Sequence, residues 1–170
     1  MQLMTTNEKP SRPIDPGARI GHVHLKVAEI ARAVAFYRDV LGFELTQRLG
    51  AGAAFLSAGG YHHHIGLNVW ESRGGPRPAA GTTGLYHLAI LYPTRAALAT
   101  ALKRVLAAGI ELEGAADHGV SEALYLRDPD GNGVELYWDR PQEEWPRDPV
   151  GDLAMVTERL DLEALLGQTA

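Results

Sequence analysis

The sequence predicts an α+β fold in which two βαβββ units form a partly open mixed β-barrel around a metal site. Three observations predict it. A strand–helix–three-strand order occurs twice, the copies are offset by about 65–68 residues, and all seven histidines fall on strands or strand edges. Such a unit has one apolar sheet face and buries it only against a second unit.

The elements follow in chain order. Residues 1–18 are polar and proline-rich and read as a flexible arm; no basic stretch precedes an apolar segment, so they do not read as a signal peptide. IGHVHLKV, from Ile20, is an apolar strand carrying His22 and His24. In AEIARAVAFYRDVLGF, Ile30, Val34, Tyr37 and Leu41 share one helical face and Gly42 supplies the stop. FELTQR, AAFLSA and HHIGLNVW give three strands. The Gly/Pro-rich run that follows is a linker over 71–83. The order then resumes with GLYHLAIL and with TRAALATALKRVLAAGI, a helix whose Leu98, Leu102, Val105 and Leu106 form its apolar face. IELEGA, EALYLRD and GVELYW are strands, and DPDGNG is a hairpin turn. His22 falls on His87, LGFEL on AGIEL, and AAFLS on ALYLR. The units span 19–70 and 84–139 of a single domain over 19–140. Residues 141–170 are an extension expected to end in an amphipathic helix that covers the barrel mouth or a partner.

Composition narrows the function. The formal charge of −5 argues against nucleic acid or an anionic membrane as partner. No run of about 18 uninterrupted apolar residues occurs, so no spanning helix is expected. Cysteine is absent, which fits a cytoplasmic protein and leaves only His and carboxylates to hold a metal.

YHHHIGLNVW places three histidines at the mouth of one strand, and alternation forbids all three from facing one way. Taken singly, a histidine at a strand start is an ordinary hydrogen-bonded residue, and Glu135 could pair with an arginine. Taken jointly, His22 and His87 begin equivalent strands, and Glu135 is an acid among apolar residues of the last strand, costly to bury unless paired or metal-bound. Two histidines and one carboxylate form the facial triad that leaves positions open on non-haem Fe(II). The first unit has Gly66, Leu67 or Asn68 where the second has Glu135, depending on register, and none is an acid. Asp117 and Glu122 read as solvated charges, and Trp70, Trp138 and Trp145 as packing residues.

GHVHLKV, FYRDVLGF, YHHHIGLNVW, GLYHLAIL, DHGVSEALYLRDPDGNGVELYWDRP and EEWPRD together resemble the vicinal oxygen chelate superfamily. That superfamily includes glyoxalase I, fosfomycin-resistance proteins and extradiol dioxygenases; catechol 2,3-dioxygenase-like proteins are the most similar. The resemblance covers Arg19 to Leu166. It implies His22, His87 and Glu135 as ligands of Fe(II), with Mn(II) as the other candidate ion. It also implies His63 as the acid–base histidine, His118 against the substrate hydroxyl, and Tyr125 beside the substrate. The implied substrates are a small aromatic diol and O2, with the ring opening next to its hydroxyl pair. Alternation does not separate His63 from His62 and His64, because a bulge would change the parity. His24 is expected to line the pocket. Larger members carry two pairs of units where this chain has one. Two other functions share the fold. A glyoxalase-type lyase or isomerase would want a carboxylate on the first unit's last strand, and a metal-free binder of aromatic drugs would leave the triad without a purpose. The linker and the apolar extension point to a homo-oligomer, most simply a homodimer.

Overall fold

The computed structural model describes residues 11–168. Of the expected N-terminal arm, residues 1–10 therefore lie outside the described part, and 11–18 are exposed.

The first unit comprises β1 (Val23–Lys26), α1 (Ile30–Ala35), β2 (Glu44–Leu49), β3 (Ala53–Ser57) and β4 (Ile65–Asn68). Its sheet runs β1-β4-β3-β2, with β1 parallel to β4 and the other pairs antiparallel. The second comprises β5 (Leu88–Leu91), α2 (Arg95–Ala107), β6 (Gly114–Asp117), β7 (Ser121–Arg127) and β8 (Gly133–Asp139). Its sheet repeats the order as β5-β8-β7-β6 and adds β9 (Glu158–Arg159) from the C-terminal extension. Pairing stays within each sheet, and β1 and β5 are inner edges, so the barrel is open there.

The first helix departs from the sequence expectation. Past Ala35 it widens into a π-helical turn over Phe36–Val40, with Leu41 N–H donating to the Phe36 carbonyl. Both Phe36 and Tyr37 are buried within this turn. Gly42, at φ 89°, ends it in the left-handed region that glycine adopts freely. The second helix starts where Thr94 accepts a hydrogen bond from Ala97 N–H. It buries Leu98, Ala99, Ala101, Leu102 and Val105, while Leu106, assigned to the apolar face, is 48% exposed.

The extension is also corrected. It ends in a five-residue helix, α3 (Leu162–Leu166), begun by the Asp161 cap on Ala164 N–H. α3 lies against α2, not over the barrel mouth: Leu165 is buried, Arg95 donates to the Ala164 carbonyl and Lys103 to that of Gln168. One apolar cluster runs through both units, including Leu25, Val34, Leu67, Leu102, Leu124 and Leu136. Each such leucine contributes about 1.5–3 kcal/mol on burial.

The DPDGNG segment does more than turn. Asp130 Oδ1 accepts from Ala28 N–H at 2.9 Å and from Arg32 at 2.7 Å, which caps the approach to α1 from the other unit. Tyr37 donates to Asp128 Oδ2 at 3.1 Å, while Asp128 Oδ1 accepts the backbone N–H groups of Asp130 and Asn132. Both aspartates are buried, so the turn clasps the two units together.

Candidate metal centre

Alternation along β8 sends Val134 and Leu136 into the core and Glu135 and Tyr137 to the opposite face. Tyr125 of β7 is the direct cross-strand partner of Glu135. His87 immediately precedes β5, and its Nε2 lies 2.8 Å from Glu135 Oε2. The Tyr125 hydroxyl lies 3.3 Å from Glu135 Oε1 and 2.7 Å from His118 Nε2. Four side chains thus form a connected run, His87–Glu135–Tyr125–His118. Burial, then the charge of Glu135, push the Tyr125 phenol up to about 12.

The remaining histidines, apart from His118, belong to the first unit. His22 precedes β1 and His24 lies within it, two residues apart and so on one face. The His22 ring stands 4.4 Å from that of His63, which stands 5.0 Å from Phe55. Partial burial and the neighbouring histidines, His22 first, hold His63 below the usual histidine value. His24 packs between Phe55 and Trp70 and is likewise lowered, by burial and then by His22. A cavity of about 760 Å³ opens between the inner edges, lined by His22, His64, His87, Ile90 and Tyr137 among others.

The strand pairing settles which first-unit residue matches Glu135. Glu135 lies between Ala89 of β5 and Tyr125 of β7. Gly66 lies between His24 of β1 and Phe55 of β3, and is therefore its counterpart. A Cβ at Gly66 would stand 2.9 Å from the His24 ring, so that ring fills the place a side chain would take.

Of the ligand set expected from the sequence, His87 and Glu135 meet, while His22 lines the same cavity against His63. Among the described residues, no three His, Asp or Glu side chains lie close enough to hold an ion. The pair itself fits a shared ion. Two donors bound at about 2.1 Å and at right angles stand about 3 Å apart. Among the described residues His87 Nδ1 is buried with no hydrogen-bond partner, and the ring's polar contact is with Glu135.

The triplet divides. His62 Nδ1 and His63 Nδ1 are 2.7 Å apart, while His64 Nδ1 is held by Ser57 Oγ at 3.1 Å and Ala58 N–H at 3.3 Å. All three precede β4, which begins at Ile65. Glu122 is not a solvated charge: it is 3% exposed and pairs with Arg95 at 2.7 Å and Arg140 at 3.1 Å. Asp117 joins the same network through Arg140. Sequence reasoning also missed the tail residues Val156 and Thr157, which reach His118 Nδ1 at 3.0 and 3.3 Å. No pattern in the sequence marks them.

The model of the Glyoxalase/Bleomycin resistance protein/Dioxygenase superfamily matches residues 19–136. Catechol-2,3-dioxygenase of Bacillus subtilis (strain 168) is 40% identical over 154 residues, covering 90% of this chain and 53% of that protein. Biphenyl-2,3-diol 1,2-dioxygenase 3 of Rhodococcus globerulus is 35% identical over 121 residues, covering 71% and 63% respectively. The chain thus spans 53% to 63% of the length of these two curated relatives. The crystal structure of lactoylglutathione lyase from Agrobacterium tumefaciens matches with a TM-score of 0.57 and 27% identity, covering 73% of this chain and 96% of that one.

Proposed function

We propose that this chain, which belongs to the Glyoxalase/Bleomycin resistance protein/Dioxygenase superfamily, is a metal-dependent extradiol dioxygenase that opens a catechol-type ring beside its two hydroxyls. The observation that carries the reading is the single carboxylate. Glu135 meets His87 and Tyr125, while its counterpart in the first unit is Gly66. The relatives named as catechol and biphenyl-diol dioxygenases support the same class.

Glu135 and His87 would hold Fe(II), or Mn(II), with His22 of the first unit as third ligand. When bound, the ion supplies redox chemistry and open positions for the diol oxygens and O2. The chain's own groups manage orientation and protons. His118 and Tyr125, hydrogen-bonded to each other, would receive a substrate hydroxyl at the Glu135 side. His63 is kept neutral by burial and by its histidine neighbours, so at neutral pH it is a base able to take a hydroxyl proton. The same proton is available to oxygen when the O–O bond breaks. Both oxygen atoms of O2 enter the ring-opened product, so no external reductant is needed. Phe43, Ile90 and Tyr137 give the cavity the apolar lining an aromatic ring requires.

Anaerobic loading with Fe(II), followed by catechol and air, tests the proposal. We expect the yellow ring-opened semialdehyde with one O2 consumed per ring. A glyoxalase-type lyase is the second reading, favoured by the likeness to lactoylglutathione lyase. Isomerisation of a glutathione hemithioacetal by the same preparation, without O2 uptake, would decide for it.

A further inference from the structure

We propose that the C-terminal extension is part of the site. The main-chain carbonyl of Val156 holds the proton of the neutral His118 ring on Nδ1, so that Nε2 presents its lone pair to the Tyr125 hydroxyl. The inference rests on the reading of His118 and Tyr125 as substrate-side groups.

A carbonyl oxygen only accepts, and Val156 O stands 3.0 Å from His118 Nδ1, so that nitrogen carries the hydrogen. The Thr157 hydroxyl, at 3.3 Å from the same nitrogen, can turn its oxygen to the same N–H. Nε2 of the neutral ring is then an acceptor, and Tyr125 lies 2.7 Å from it. Tyr125 has one proton to give. It goes to His118 at 2.7 Å rather than to Glu135 at 3.3 Å, and the carboxylate stays free for His87 and the ion. The opposite tautomer would make Nε2–H a donor and turn the phenol proton onto Glu135. Fixing a ring tautomer through the far nitrogen is how groups outside a ligand set tune it.

The tail is fastened where this requires. Val156 N–H donates to the His118 carbonyl at 3.1 Å, a second bond between the same two residues. The next residues, Glu158 and Arg159, pair with Asp117 and Ala116 of β6. Gly119, at φ +74°, leaves space that Pro146 and Val156 occupy, since a Cβ there would stand 2.8 Å from Pro146 Cγ and 3.4 Å from Val156 Cγ2. Val156 is a positioning group: its oxygen acts only through His118.

The test reads the tautomer in metal-free protein. Long-range ¹H–¹⁵N NMR of ¹⁵N-histidine-labelled protein at pH about 8.5, where an ordinary histidine is neutral, should show His118 with a protonated Nδ1 and a bare Nε2. Comparison with His118→Gln assigns the signals. Gly119→Ala strains the left-handed backbone beside His118 and presses a Cβ onto Pro146, disturbing the seating of the tail while the His118, Tyr125 and Val156 side chains are kept. It should give a tautomer mixture and, after Fe(II) loading, a fall of about tenfold in kcat with KM for catechol little changed. Adding Pro146→Ala, which removes the clashing ring carbon but not the backbone strain at position 119, should recover part of both. An Nε2–H tautomer in the wild type overturns the proposal, as does an unaltered Nδ1–H population in Gly119→Ala. A wild type with the Nδ1–H tautomer but no ring cleavage rejects the dioxygenase reading and leaves the tail's role in place.

Discussion

A hydrogen atom at Gly66 and a carboxylate at Glu135 stand on matched strand positions of the two units. Glu135→Ala and His87→Ala are each expected to abolish stoichiometric Fe(II) or Mn(II) while the protein stays folded, checked by metal analysis after dialysis and by circular dichroism. His22→Ala discriminates further, because His22 stands against His63 and not against the pair. A His22→Ala protein that keeps a full complement of metal would remove His22 from the ligand set. For the triplet, His63→Gln should retain metal and bind catechol yet lose about 10²–10⁴-fold in turnover, the range general acid–base groups contribute. His64→Ala should cost far less, since its ring is engaged with Ser57. The duplicated pattern and the resemblance made His87, Glu135, Tyr125 and His118 legible in the sequence. Alternation could not rank His62, His63 and His64, because all three lie ahead of β4, where strand parity has no meaning.

At the scale of elements, both βαβββ units were legible, because their strands alternate and their helices carry clear apolar faces. The π-helical turn over Phe36–Val40 was not, since the apolar spacing of this segment fits a regular helix equally well. Neither was β9, two exposed residues whose strand conformation comes from the β6 edge. Glu122 was misjudged because its partners Arg95 and Arg140 lie 27 and 18 residues away. The clasp between α1 and the DPDGNG turn makes a pH prediction. Burial, then the charge and hydrogen bond of Asp128, raise Tyr37 well above its ordinary value of 10.0. The native state therefore keeps a proton that the unfolded chain releases. The stability this contributes is complete below about pH 10 and is lost as pH rises through that value toward the folded one. Tyr37→Phe should flatten the alkaline limb of a denaturant-midpoint-against-pH curve. At neutral pH the loss of one hydrogen bond should cost about 0.5–1.5 kcal/mol, since Asn132 still serves Asp128 Oδ2.

The molecule as a whole presents apolar side chains around its central opening. Ile20 is 95% exposed and Tyr86 79%, with Leu85 and Leu91 more than half exposed nearby. Beside them run the inner edges of β1 and β5, which among the described residues have no strand partner across the gap. Bare edges and clustered apolar surface favour association. We expect a homodimer at micromolar concentration, and light scattering that finds only monomer there would argue against it. Among the described residues, no helix is long and apolar enough to cross a membrane.

The Asp130 clasp also imposes an order in time. Ala28 and Asp130 are 102 residues apart. At a synthesis rate of about 5–20 residues per second, roughly 5–20 seconds pass between their appearances on the ribosome. Throughout that interval the first sheet can pair, since all its strands fall within residues 23–68. Its helix must still wait with the Ala28 N–H and Arg32 lacking the carboxylate that serves them. The first unit can thus complete its sheet before the carboxylate that serves Ala28 and Arg32 has been made.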